Sequence, residues 1–368
     1  MGTLTRIALD GYKSIKQMSL ELRQLNVLIG ANGSGKTNLV SFLKLLNEML
    51  GERLQIFIGT SGGAQSLLHY GSKTTPQIQA SLEFDTPTGL STYYLRLFHA
   101  AVDTLIFGEE RLTFQGPGFP RAQEVVLGSG HRETLVRAQA EAGNQTARVF
   151  RDLLRTCRVF QFHDTSASAR IRQQCYIEQN RFLMPDAGNL PAVLHRIRSS
   201  EPTAYRRIVS TVQQVAPFFD DFVLAPSPLN DKYITLNWRE KGTDTEFGPH
   251  VISDGTLRAM ALITLLLQPE EDLPAVIVID EPELGLHPYA INVLASLLAA
   301  ASLRCQVIVA TQSVPLLDQF EPEDVVVVER DGAASTFQRL DPEKLRDWLG
   351  DYSLGQLWEK NVIGGGPA

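Results

Sequence analysis

The sequence predicts an α/β protein built on a buried parallel sheet, and three observations carry that prediction. Short runs of branched apolar residues, Ala275-Val-Ile-Val-Ile, Gln306-Val-Ile-Val-Ala and Asp324-Val-Val-Val-Val, alternate with segments of helical periodicity. A further apolar run, Leu25-Asn-Val-Leu-Ile, enters a glycine-rich turn that opens a helical pattern. The chain has 368 residues, 43% of them hydrophobic. That is enough for a sizeable core in two or three domains, or in one domain with a large insertion.

Residues 4–10 and 25–29 read as strands. From Asn38 to Leu50 the residues Leu39, Phe42, Leu43, Leu46 and Met49 recur at helical spacing. Between about 52 and 115 the pattern is β-like: Gln55-Ile-Phe-Ile, Ile78-Gln-Ala-Ser-Leu-Glu-Phe and Thr92-Tyr-Tyr-Leu-Arg-Leu-Phe are separated by Gly and Pro turns, which predicts appended antiparallel strands. Residues 116–130, rich in Gly and Pro, read as a surface excursion. The stretch 131–216 reads as mostly helical, with breaks near 163–169 and 184–191. Strand signals return at 221–225 and 233–238, with helices predicted over 254–267 and from about 288. The expected division is 1–130, a basic helical insertion over 131–216, and 217–368.

The net charge is −7, which disfavours nucleic acid as a bulk partner. Between 151 and 207, however, ten arginines stand against five acids. That stretch suits either a face turned to a polyanion or a set of solvated helix surfaces. No apolar run is long enough for a membrane span, and the start lacks a signal-peptide stretch. Cys157, Cys175 and Cys305 form no CxxC pair, so neither a disulfide framework nor a zinc cage is expected. These readings point to the cytoplasm.

Two motifs carry chemistry. Gly30-Ala-Asn32-Gly33-Ser34-Gly35-Lys36-Thr37 matches GxxxxGK[ST], the Walker A or P-loop pattern, after a strand and before a helix that opens at Asn38. Its glycines let backbone N–H groups wrap a triphosphate. Lys36 is placed for the β- and γ-phosphates and the Thr37 hydroxyl for Mg²⁺. The run Val276-Ile-Val-Ile-Asp280-Glu281 is a buried strand ending in two carboxylates. This Walker B pattern has Asp280 placed to organise Mg²⁺ through water and Glu281 to poise the attacking water as general base. Ahead of it, Ile252-Ser253-Asp254-Gly255-Thr-Leu-Arg258 opens a helix that Ser253 would cap.

In this order the motifs resemble the ATP-binding-cassette (ABC) superfamily, whose signature, Leu-Ser-Gly-Gly-Gln or a variant, precedes the Walker B strand. Tyr12-Lys-Ser-Ile, the stretch Leu25–Leu39 and Asp280-Glu-Pro-Glu-Leu-Gly-Leu-His287-Pro are similar to the RecF, SMC and OLD (overcoming lysogenization defect) branch. Gln161-Phe-His163-Asp-Thr-Ser resembles its compact bacterial AAA-family predicted ATPases. The resemblance implies a P-loop NTPase with the ABC-type ATPase head fold, an antiparallel β subdomain and a mostly helical insertion between Walker A and the signature. It also implies ATP as substrate, in keeping with the absence of an Asn-Lys-x-Asp guanine motif. Further implied is a homodimer or higher oligomer, with Ser253, Asp254 and Gly255 of one copy facing the nucleotide on the other and Gly255 leaving room for its γ-phosphate. A role in DNA repair or anti-phage defence follows, beside a separate effector such as a nuclease and with DNA as a possible partner. OLD nucleases carry a TOPRIM domain, for which the forty or so residues after Val328 are too few. Two positions depart from the pattern. Gln312 stands where the branch has a switch histidine, in Thr311-Gln312-Ser313, and cannot become cationic. The glutamine that links Mg²⁺ to the helical lobe is assigned to Gln161. His287 fits a structural role beside Pro288 at least as well as a catalytic one.

Overall fold

In a computed structural model, described over residues 2–118 and 121–366, the chain forms two large sheets that share one helix. The first is antiparallel. It contains β1 (Thr3–Tyr12) and β2 (Ile15–Glu21), then, across the chain, β4 (Gln77–Thr86), β5 (Gly89–Ala100), β6 (Thr104–Gln115) and β7 (Gln123–Gly128), in the order β2-β1-β4-β5-β6-β7. The second is built on β3 (Leu25–Ile29), with β8 (Cys157–Phe160), β15 (Val276–Asp280), β16 (Gln306–Thr311), β17 (Val325–Asp331) and β18 (Ala334–Arg339), in the order β18-β17-β3-β16-β15-β8. All of its strands run parallel except β18, which pairs antiparallel with β17. Two small sheets complete the set. One holds β9 (Cys175–Tyr176), β11 (Pro226–Ser227) and β12 (Asn230–Ile234); the other holds β10 (Phe219–Val223), β13 (Asn237–Glu240) and β14 (Glu246–Phe247).

Period-two alternation along the parallel strands divides the core into two layers. Val27, Ile29, Ile277, Ile279, Val307 and Val309 face one layer, with α6 (Leu190–Ser200), α7 (Pro202–Val215), α8 (Asp254–Leu267) and α9 (Pro288–Ser302). Their neighbours Leu28, Val276, Val278 and Ile308 face the other, against α1 (Lys36–Leu50) and the antiparallel sheet. Because both faces are covered, these strands read as unbroken apolar runs. The remaining helices are short: α2 (Leu54–Thr60), α3 (Ala64–Leu67), α4 (Val136–Glu141), α5 (Gln145–Arg155), α10 (Val314–Leu317), α11 (Pro342–Leu349) and α12 (Leu354–Glu359). No described helix is long and apolar enough to cross a membrane.

Three sequence expectations are corrected. Gln55-Ile-Phe-Ile, expected as a strand, lies in helix α2, because Glu133 accepts hydrogen bonds from the N–H groups of Leu54 and Gln55 at 2.9 and 3.1 Å and so caps the first turn from 79 and 78 residues away. The surface excursion at 116–130 contains the edge strand β7, paired with β6. The stretch 131–216, expected to be mostly helical, supplies β8, which pairs with the Walker B strand β15.

A candidate nucleotide site at the carboxyl edge of the parallel sheet

Parallel pairing decides where the motifs meet. The strands β8, β15, β16 and β3 lie side by side in one direction, so the residues that follow them emerge together at one sheet edge. Gln161 follows β8, Asp280 and Glu281 end β15, Thr311 and Gln312 end β16, and the Walker A loop follows β3. Inserting β16 between β3 and β15 leaves one strand's width between the lysine loop and the carboxylates.

The loop is braced from several sides. Gly35 has φ +119°, and a Cβ there would stand 2.2 Å from the Ser335 hydroxyl, so only glycine fits. Ser335 Oγ donates to the Ser34 carbonyl at 2.5 Å and shares a 2.6 Å hydrogen bond with Ser14 Oγ, which also accepts from the Asn38 amide at 2.6 Å. The Ala31 N–H donates to the Gly365 carbonyl at 2.9 Å, and Trp358 Nε1 donates to the same oxygen at 2.8 Å. The C-terminal glycine segment therefore lies against the loop. Lys36 is only 4% exposed, and its ammonium donates to the Gly30 and Ala31 carbonyls at 2.6 and 3.1 Å. Burial lowers its pKa, and the charges of Glu281, Asp280 and Glu283 oppose that shift. Asn32, Gly33 and Thr37 are exposed. Thr37 lines a cavity of about 450 Å³ with Lys13, Ser41, Lys44 and Gln161.

The carboxylates form the facing half. Asp280 is 3% exposed; its Oδ2 accepts from Gln161 Nε2 at 3.4 Å, while its buried Oδ1 has no partner among the described residues. Lys44 donates to Gln161 Oε1 at 3.3 Å, which fixes the amide's orientation. His163 Nε2–H donates to the Asp280 carbonyl at 2.8 Å. Glu281 adopts φ +44°, a left-handed conformation that costs a non-glycine residue roughly 1–2 kcal/mol. Its side chain accepts from Gln312 Nε2 at 3.2 Å. Glu283 accepts from Thr311 Oγ1 at 2.5 Å, and its Oε2 is buried without a partner among the described residues. Burial raises the pKa of both Asp280 and Glu283, and the neighbouring Glu281 charge adds to it.

An unpaired buried carboxylate oxygen at a strand end suits a hard divalent cation. Among the described residues, no group of three or more His, Cys, Asp and Glu side chains could hold a metal ion. Thr37, Asp280 and Gln161 instead make a sparse set that fits Mg²⁺ completed by phosphates and water.

The proposed signature segment opens α8. Ser253 Oγ accepts from the Thr256 N–H at 3.2 Å and caps α8, as its sequence position predicts. Ser253 and Asp254 are exposed. Gly255 is constrained within its own chain, since a Cβ there would stand 2.2 Å from the Gly285 carbonyl. That contact is enough to require glycine, so room for a partner's phosphate is not needed to explain it. His287 caps α9, with Nδ1 accepting from the Tyr289 N–H at 3.3 Å.

Sequence reasoning missed two arginines. Arg258, on α8, donates to the carbonyls of Phe162, His163 and Leu284 at 3.1, 2.8 and 3.0 Å. It therefore ties the signature helix to the loops after both Gln161 and Glu281. Arg172, 6% exposed, donates to Asp254 Oδ1 at 2.6 Å and to the Thr165 carbonyl at 2.7 Å. Their partners are backbone oxygens or distant side chains, which leave no motif to read.

The fold is that of P-loop, ABC-type ATPase heads, with mixed α/β content. The chain belongs to the family described as "AAA domain, putative AbiEii toxin, Type IV TA system", whose model matches residues 25–109 and 159–318. No curated protein matches it in sequence. Among solved structures it is similar to an SMC head bound to the C-terminal winged-helix domain of ScpA, with TM-score 0.61 and 14% identity over 94% of this chain and 99% of that one. It is also similar to an Smc head domain with an extended coiled coil bound to the C-terminal domain of ScpA, derived from Pyrococcus furiosus, with TM-score 0.59 and 14% identity over 95% and 99% of the two chains.

Proposed function

We propose that the chain is an ATP-hydrolysing enzyme of the RecF, SMC and OLD branch, whose two copies close around ATP and couple its turnover to a separate effector or to DNA. The observation that carries the reading is Glu281. It is held in left-handed backbone beside the partly unpartnered Asp280, with Gln312 on its carboxylate and Lys36 one strand away. In this reading the Walker A amides and Lys36 bind the triphosphate, Asp254 and Ser253 approach it from the second copy, and Glu281 takes the proton of the attacking water. Mg²⁺, held by Thr37 and Asp280 with Gln161 beside it, would neutralise charge between the β- and γ-phosphates. The division at 130 and 216 belongs to the same proposal, with β8 lent to the core sheet. A cytoplasmic place in DNA repair or anti-phage defence belongs to the same proposal, and membership of a family that includes a putative toxin of a type IV TA system bears on its defence arm alone. The second copy of an SMC-like site and the effector are both protein partners; the membrane is not among them.

A second reading, a slow nucleotide-gated switch that holds its effector with little turnover, draws on Gln312. A neutral amide replaces a group able to take a proton, and it already occupies Glu281. One experiment separates the two. Steady-state ATP hydrolysis is measured against protein concentration, with size-exclusion chromatography of Glu281→Gln with and without ATP. Specific activity rising with concentration, a fall of about 10²–10⁴-fold in the variant and an ATP-dependent dimer of that variant are expected. Flat activity with ATP-indifferent assembly would overturn the composite site.

A further inference from the structure

Away from the phosphate loop, α1, α4, α5 and β8 enclose a cavity of about 570 Å³ into which five arginines project: Arg53, Arg137, Arg151, Arg155 and Arg158. Three of them have a carboxylate. Arg53 pairs with Glu48 at 2.6 Å, Arg137 with Glu141 at 2.9 Å and Arg151 with Asp152 at 3.0 Å. Among the described residues, neither Arg155 nor Arg158 forms an ion pair. Arg158 is half-buried on the strand, with its guanidinium 4.5 Å from the Phe182 ring centroid. Burial and the neighbouring Arg155 charge both lower its pKa. Two adjacent cations without counter-charge, one of them partly desolvated, repel each other unless an anion joins them. Elsewhere in the basic stretch Arg172 is spent on carbonyls, Arg170 on Asp186, Arg196 on Asp272 and Arg198 on the Leu224 carbonyl, while Arg181, Arg206 and Arg207 form no ion pair among the described residues. Of the arginines in that stretch without an ion pair, Arg155 and Arg158 are the two that line this cavity together.

We propose that this cavity is a second anion site, separate from the Walker A loop, that takes a compact phosphate-bearing group. A lone carboxylate satisfies one guanidinium fork, whereas a phosphate offers three acceptor oxygens and can engage Arg155 and Arg158 together. The volume suits a single nucleotide-sized group rather than a continuous duplex. The phosphate can come from a free oligophosphate or from the 5′ end of a nucleic acid, and the probes tell these apart.

The test uses the full chain with a fluorescein-labelled DNA oligonucleotide bearing a 5′-phosphate, the same oligonucleotide without it, and inorganic pyrophosphate as competitor. Anisotropy is read over a range of salt. Binding that needs the 5′-phosphate or is displaced by pyrophosphate, weakens with salt and falls about tenfold or more in Arg155→Ala/Arg158→Ala is expected. Tighter binding of the phosphorylated oligonucleotide than of pyrophosphate assigns a nucleic-acid end; the reverse assigns a free oligophosphate. Arg155→Ala alone, on the exposed face of α5, keeps the test usable if the double variant misfolds, and Arg158→Lys should restore part of the affinity. Lys36→Ala should bind as the wild type does, which separates this site from the proposed ATP site. Equal binding of both oligonucleotides with no displacement by pyrophosphate, or binding indifferent to the arginine substitutions, overturns the proposal.

Discussion

The two halves of the candidate site are satisfied to different degrees. On the phosphate loop the charged group has internal partners and only the neutral Ser34 hydroxyl is buried without one among the described residues: Lys36 donates to its own loop's carbonyls, and Ser335, Ser14 and Gly365 hold the backbone. Across one strand, Asp280 and Glu283 each keep a buried oxygen without a partner among the described residues. A loop that receives an anion can rest on its own carbonyls, because those bonds are exchangeable. A buried carboxylate oxygen with no donor beside it has nothing to exchange, and burial raises the pKa of both carboxyl groups. The asymmetry teaches that positive charge, rather than further anion, is what the carboxylate half lacks.

The sharpest way to break this contrast is Lys36→Ala. It should lower kcat/KM for ATP about 10²–10³-fold by removing the donor that leaves its carbonyls for phosphate, with the loss visible in binding of a fluorescent ATP analogue. Gln312→Ala, which frees Glu281, should slow turnover about tenfold, the worth of roughly 1.4 kcal/mol. Gln312→His should instead raise turnover and give it a new pH dependence near about 6.5; an unchanged pH profile would argue against contact with the reacting groups.

Asp280→Asn sharpens the contrast from the other side. In EDTA the variant should melt higher than the wild type by about 1–3 °C, as relief of one uncompensated carboxylate is worth roughly 1–2 kcal/mol. The pH dependence has a definite sign. Carboxylates with raised folded pKa values hold more protons folded than unfolded, so their contribution falls as pH rises from the ordinary carboxylate range through the raised values. Metal-free protein should gain from this source on acidification toward that range, and Mg²⁺ with ATP should flatten the slope in thermal melts. The smallest effect is expected from Ser335→Ala, which leaves the Ser34 carbonyl without its partner and the Ser14 hydroxyl with Asn38 alone. It should cost about 1–2 kcal/mol of stability in denaturant titration.

Much of this was legible in the sequence wherever one physical signal acted alone. The strands β15, β16 and β17 announce themselves because burial on both faces demands unbroken branched residues. The phosphate loop was legible because few purposes need that spacing of glycines and lysine. Elements decided by distant partners were not. Leu54–Thr60 is helical through Glu133, and its isoleucines and phenylalanine argued for a strand. The edge strand β7 hides between glycines and prolines, and β8 is only four residues long. Gln161 was identified through resemblance to a family; its contact with Asp280 depends on β8 pairing with β15, which no local pattern encodes.

The position of β3 has a consequence for how the molecule is made. Its two sheet neighbours are β16 and β17, and the Asn26 side chain meets the Val307 carbonyl 281 residues further along the chain. At about 5–20 residues per second, a ribosome needs roughly 15–60 s after making the phosphate loop to supply the strand beside it. The antiparallel sheet, complete by Gly128 and drawn wholly from the first part of the chain, can pair during that wait. Nascent chains stalled before β16 should thus hold a folded amino-terminal sheet with an unpaired β3. A cell that loses the end of this message would accumulate a fragment with an exposed apolar strand and no competence for nucleotide, a natural substrate for chaperones and proteases.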